Sequence, residues 1–292
     1  MTTRNGTDVL EICDPPMGKR IIISVIFIPV IILIIYAPFL NSISLFIFVL
    51  LLSFLAMREM NRLLARIYHV EERKSLIDGA FYLCGLATII FFYIKTFFPV
   101  KEVYILYILG GLIAVNSALS RLRRINVYAQ VGSFAYTVLC PLLIYMVRRE
   151  EGGMFLLYAL FLLAWFSDAS AYFIGSFFGR TKGIVKLSPN KSLEGYAGSF
   201  VLTILLGAVL GRLFGEHYPL TGMQPMLTAF AVAVLAPMGD LMESMLKRKA
   251  GVKDSSNLLP GLGGVLDIFD SIFMSTPLYY LLIKIILNVQ VS

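Results

Sequence analysis

The feature that most constrains this chain is a succession of apolar stretches, each about 16 to 26 residues long and separated by short polar breaks. About 20 such residues cross the hydrocarbon core of a bilayer as a helix. Nine stretches can be counted, at roughly 21–39, 42–57, 79–98, 103–119, 130–147, 153–178, 196–213, 226–245 and 271–289. The expected fold is therefore all-α: a polytopic integral membrane protein with about nine transmembrane helices. Composition agrees, since 58% of the 292 residues are apolar or aromatic and 15% are charged, with a mean hydropathy of +0.82. A soluble domain carries roughly 25% charged residues, so an ordinary soluble enzyme is excluded.

Lys19 and Arg20 precede the first stretch in the manner of a signal peptide. That run is too long for the apolar region of such a peptide, and no small-residue cleavage site follows, so it is expected to be a retained span. Cys13, Cys84 and Cys140 are isolated, without CxxC or zinc-ligand spacing. His69 and His217 lie far apart, which argues against a histidine metal site or a Ser-His-Asp triad. With nine spans, 19 lysines and arginines fall on the side of the N-terminus and five on the other, with Lys284 inside the last span. The positive-inside rule then places the N-terminus, the even-numbered loops and the polar segments described below in the cytoplasm, at the inner membrane of the cell. Most of the net charge of +7 is accounted for by topology and by contact with anionic headgroups. It is spread over five short segments, so nucleic-acid binding is not expected. Residues 1–150 read as a scaffold of about five spans that faces lipid and a second copy in a homodimer, and residues 151–292 as a region of about four spans around a cytoplasm-facing polar cavity.

Ionisable residues within spans are costly and mark function by default. Asp168 lies about ten residues from the cytoplasmic end of its span, or about 15 Å deep at the helical rise. Helical spacing puts Asp168, Tyr172, Gly175 and Gly179 on one face. Close packing of helices, with the aspartate bonded to a neighbour, explains that face as well. Gly179-Arg180-Thr181-Lys182 and Ser188-Pro189-Asn190-Lys191-Ser192-Leu193-Glu194-Gly195 follow, with hydroxyls, lysines and glycines suited to phosphate contact or to a solvated turn. Farther on, offsets of three, four and seven align Asp240, Glu243, Ser244 and Lys247 as one stripe that runs into Arg248. Next come Lys253 and Asp254, then Pro260-Gly261-Leu262-Gly263-Gly264, and Asp267 and Asp270 at the start of the last span. Glycines there let backbone N–H groups approach phosphate oxygens. Carboxylates on two facing helix ends would hold Mg²⁺ together with those oxygens, although Asp267 and Asp270 also suit a helix cap.

The run from Ser244 through Lys247-Arg248, Lys253-Asp254, Pro260-Gly261-Leu262-Gly263-Gly264 and Asp267-Ile268-Phe-Asp270 resembles the signature of the phosphatidate cytidylyltransferases, the CDP-diacylglycerol synthases. The resemblance reaches upstream to Asp168-Ala-Ser-Ala-Tyr172, Gly179–Lys182 and Ser188–Gly195. It implies attack by the phosphate of phosphatidate on the α-phosphorus of CTP, giving CDP-diacylglycerol and diphosphate. By the same match, Asp240 and Asp267 bind metal, with Asp254 and Asp270 as further ligands, and Asp240, Lys247 and Asp267 carry the chemistry. Ser244, Lys191, Gly261, Gly263 and Gly264 contact phosphates, together with Ser188, Ser192, Glu194, Arg248 and Lys253. Asp168 and Tyr172 line the cavity where lipid headgroup meets nucleotide. The implied cofactor is Mg²⁺, alone or with a second, monovalent cation; the implied partners are CTP, phosphatidate and the bilayer. The family commonly has His where this chain has Leu262 and Arg where it has Ile268. Two rival readings use the same residues. One is a CTP-dependent membrane enzyme acting on a prenol or an archaeal lipid. The other is an ion-coupled transporter, which would show inverted repeats and broken spans in matched halves, whereas the polar motifs here are confined to the second half.

Overall fold

In a computed structural model of the chain, residues 28–36, 43–70, 76–95, 102–181, 191–258 and 263–291 are described. Backbone N–H and C=O groups in hydrocarbon must be paired within the protein, and helices do this locally. The described residues accordingly form α1 (28–36), α2 (Ile43–Ile67), α3 (Leu76–Lys95), α4 (Glu102–Arg123), α5 (Val127–Phe134), α6 (Cys140–Arg149), α7 (Gly153–Phe178), α8 (Leu193–Leu213), α9 (Gln224–Lys249) and α10 (Val265–Val291), with no β-strand among them. The all-α membrane fold is thus present, and seven helices among the described residues are long and apolar enough to cross a bilayer. The expected count of nine is approximate. Much of the stretch at 21–39 lies outside the described residues, and 103–119 is helical as part of α4.

The span predicted at 130–147 is one continuous rod made of α5, a π-helical turn at Ala135–Leu139 and α6. Pro141 explains the irregularity, because a proline has no N–H to offer the carbonyl four residues back and its ring crowds that carbonyl. The carbonyl is that of Thr137, and Ser53 of α2 donates its hydroxyl to it at 2.6 Å. A sequence defect in one span is thereby repaired by a side chain from another.

The helices of the second half pack on one another: α7 against α8 and α9, and α9 against both α8 and α10. α10 also rests on α2, α6 and α7, which joins the two halves. Small residues set the α7–α8 approach. A Cβ added to Gly195 would stand 2.7 Å from the Ala171 carbonyl oxygen and 3.1 Å from Gly175 Cα, so the backbones pass closer than any side chain allows. Deeper along the same pair, the Ser199 hydroxyl donates to the Ser167 carbonyl at 2.7 Å. Part of the predicted polar face of α7 is therefore a packing seam.

Segments that the charge count places on one side of the membrane meet at one end of the bundle. Arg123 pairs with Asp78 at 3.1 Å and donates to Asn61 at 3.0 Å, and Lys191 reaches Asp240. The opposite end is tied by Lys284 and Tyr280, both bonded to Glu150.

Candidate active site

At the basic end, the stripe on α9 meets the start of α10. Lys247 Nζ lies 2.8 Å from Glu243 Oε2 and 2.5 Å from Asp267 Oδ1. The other Asp267 oxygen accepts from the Ser255 amide at 2.9 Å, the Ser255 hydroxyl at 2.7 Å and the Gly264 amide at 2.7 Å. Asp267 thus joins three segments and, through Gly264, also fills the capping role open to it from sequence. Glu243 is 1% exposed, and its Oε1 is buried with no hydrogen-bond partner among the described residues.

A second group lies beside the first. Lys191, just before α8, pairs with Asp240 on α9 and stands 5.6 Å from the centroid of the Tyr196 ring. Burial is the largest influence on Lys191 and alone would lower its pKa, but the charge and hydrogen bond of Asp240, with Tyr196 and Asp168, together outweigh it and the net shift is upward. Asp168 on α7 accepts from the Ser271 hydroxyl of α10 at 3.0 Å. It is solvent-accessible and close to Lys191, Asp240 and Asp270, so it lines a solvent-open recess between α7, α9 and α10. Asp270 is buried, and its Oδ1 accepts from the Ser271 amide at 2.6 Å. Tyr136 of the π-helical turn donates to the Asp270 carbonyl at 3.1 Å, so the first half of the chain props the back of the recess.

The remaining sequence-predicted residues divide. Ser192 caps α8 by accepting from the Gly195 amide at 3.2 Å. Glu194 accepts from the Thr181 hydroxyl at 2.7 Å and the Thr181 amide at 3.1 Å, tying the loop to the helix. Tyr172 is 69% exposed on α7, with its ring against Phe173. Ser244 is half-buried on the α9 stripe, and Arg248, Lys253 and Asp254 are exposed beyond it. Gly263 and Gly264 form the turn into α10. Ser188, Gly261 and Leu262 lie outside the described residues.

Sequence reasoning missed Glu59. This α2 residue is 3% exposed, and its carboxylate faces Ser255, Ser256 and the first amides of α10. The available signal was a glutamate two residues past the predicted apolar stretch 42–57, where it reads as part of a charged loop.

Among the described residues, no three histidines, cysteines or carboxylates gather closely enough to cage a metal ion. Magnesium asks for less, since one or two carboxylates suffice when phosphate oxygens complete its shell. The donor set fits that mode: Asp240 and Asp267 supply hard oxygens from two adjacent helices, with Asp168 beside them.

Residues 18–286 match the model of the cytidylyltransferase family. The chain belongs to that family. Among its curated relatives, the phosphatidate cytidylyltransferase of Haemophilus influenzae is 38% identical over 159 residues, covering 50% of this chain and 54% of the relative. That of Bacillus subtilis is 35% identical over 136 residues (47% and 50%), and that of Staphylococcus haemolyticus 37% over 139 residues (48% and 52%). The chain thus spans about half the length of the curated relatives it matches. Within this member of the family, the two lysine–aspartate pairs are built from the segments that carried the resemblance, at 168, 191, 240–247 and 267–270.

Proposed function

We propose that this chain is a phosphatidate cytidylyltransferase, converting CTP and phosphatidate to CDP-diacylglycerol and diphosphate on the cytoplasmic face of the inner membrane. A phosphate oxygen of phosphatidate forms a bond to the α-phosphorus of CTP. The bond from that phosphorus to the oxygen bridging it to the β-phosphate breaks, and diphosphate leaves with the oxygen. The nucleophile is already an anion, so the protein has no proton to remove; its task is alignment and charge neutralisation. The observation that carries this reading is the convergence of Lys191–Asp240 and Lys247–Asp267 beside Asp168 in one recess at a membrane edge, within a chain of this family. Lys247 and Lys191 hold phosphate oxygens, and Asp168 faces the lipid headgroup while the acyl chains stay in the bilayer. Asp240 and Asp267 would hold Mg²⁺, with Asp270 and Asp254 in support, and the ion would offset the charge of the triphosphate.

Chromatography of lipid products from purified chain in detergent, given labelled CTP, phosphatidate and Mg²⁺, tests the assignment. CDP-diacylglycerol should form, and chelation should stop it until Mg²⁺ is returned. Phosphorylation of a polyprenol in its place would overturn the substrate assignment.

A further inference from the structure

The first half of the chain carries no motif, yet one of its side chains stands directly behind the site. Glu59 Oε1 lies 2.6 Å from the Ser256 hydroxyl and 3.0 Å from the Val265 amide, and Oε2 lies 3.0 Å from the Ser255 hydroxyl and 2.8 Å from the Leu266 amide. A buried carboxylate is tolerated where donors surround it, and the start of a helix supplies both aligned amides and a favourable dipole. The fit around it is close. A Cβ on Gly264 would stand 2.5 Å from both Glu59 oxygens and 2.1 Å from Ser255 Oγ, so glycine is required where the turn crosses the carboxylate. The Ser255 hydroxyl sits between Glu59 Oε2 and Asp267 Oδ2, with one proton to share between them. Glu59 is thereby coupled to Asp267, and through Asp267 to Lys247.

We infer that Glu59 is a positioning residue for cytidylyl transfer, an inference that rests on the function proposed above. It holds the Ser255–Ser256 loop and the first turn of α10 so that Asp267 and Lys247 keep their places at the recess. The same contacts show that the Val265 and Leu266 amides are taken by a protein carboxylate. The start of α10 therefore serves as an internal anchor, and substrate phosphates are left to the lysines.

Glu59→Gln in the full chain tests this. The Val265 and Leu266 amides point at different carboxylate oxygens, so whichever way the glutamine amide turns, its NH₂ faces one of them. Hydrogen exchange in a peptide covering 255–267 should quicken while other segments keep the parent rate. Displacing a catalytic group by a fraction of an ångström to an ångström costs up to about 100-fold, so kcat should fall by about 10- to 100-fold with the KM for phosphatidate unchanged. Faster exchange with an unchanged kcat would reduce Glu59 to a helix cap and overturn the inference, as would parent-like values of both. If Glu59→Gln fails to fold, Ser256→Ala removes one donor and takes the same pair of measurements, and faster exchange with unchanged kcat there overturns the inference equally. A parent chain that transfers no cytidylyl group would mark failure of the proposed function, whereas an active parent with an equally active Glu59→Gln marks failure of this inference.

Discussion

Lys247→Met removes an ammonium held between Glu243 Oε2 at 2.8 Å and Asp267 Oδ1 at 2.5 Å while keeping much of the apolar stem. The two carboxylates do not suffer equally. Asp267 retains three donors from Ser255 and Gly264 on its other oxygen. Glu243 is 1% exposed and has an oxygen without a partner among the described residues, so it loses its countercharge inside a helix interface. Breaking a buried pair by deleting one member costs about 3–5 kcal/mol. Neutralising the survivor in Lys247→Met/Glu243→Gln should recover about 1–3 kcal/mol, the scale of an unmet buried polar group. Activity should not follow stability. A cation that meets charge developing on transferred phosphates is worth about 10²- to 10³-fold in kcat, and replacing Glu243 does not restore it. Thermal melting in detergent and CDP-diacylglycerol formation, measured on the parent, the single and the double variants, separate the two effects. Parent-like activity in the double variant would refute the reasoning, because Lys247 would then serve only to neutralise Glu243.

Asp240→Ala and Asp267→Ala should each abolish CDP-diacylglycerol formation while leaving a folded protein by size-exclusion chromatography; activity retained in both would remove these residues from the proposed metal site. Lys191→Met should raise the KM for phosphatidate more than that for CTP, which initial rates at varied concentrations of each substrate would show. The charge of Asp240 holds the Lys191 pKa above its ordinary 10.5, and a raised lysine pKa stabilises the folded state below the unfolded value and loses that contribution as pH rises through the folded one. Melting temperature should therefore show no Lys191-dependent change between about pH 6 and 9, and the difference between parent and Lys191→Met should shrink only on the alkaline side of 10.5. Gly195→Ala places a methyl 2.7 Å from the Ala171 carbonyl oxygen and should cost about 1–3 kcal/mol in unfolding measurements, with α7 and α8 forced apart.

The helical fold was legible because a bilayer imposes a length on every span, and apolar runs of that length are hard to conceal in a sequence. The α9 stripe was legible for a similar reason: Asp240, Glu243 and Lys247 recur at helical offsets, and a local period needs no knowledge of the rest of the fold. What Lys247 bonds to across the gap was not legible in the same way, since Asp267 lies on another helix. Glu59 escaped notice because its partners are about 200 residues away and no spacing rule links them. The π-helical turn before Pro141 was hidden because its repair comes from Ser53 on α2. Ser192 and Glu194 show the opposite hazard. Both stand in a segment that carries the family resemblance, and both are engaged in local caps and turns.

Under the proposed function, depth gives the two lysine pairs different tasks. Asp267 is the third residue of α10, so its pair with Lys247 lies at the membrane edge. Asp168 accepts from the Ser271 hydroxyl, four residues or about 6 Å along α10 from Asp267, and Gly239, next to Asp240, packs on the Asp270 carbonyl, so both aspartates lie about one helical turn farther in. A triphosphate enters from water and resists dehydration, whereas a phosphatidate headgroup is delivered from the bilayer with its acyl chains still in hydrocarbon. Under the proposed function, a recess that runs from Lys247 at the edge to Asp240 and Asp168 a turn inside would let each substrate approach from its own phase. The two would then meet without either crossing the membrane. That is why loss of Lys191, whose ammonium is drawn inward to Asp240, is expected to weigh on the lipid, and loss of Lys247 on the nucleotide.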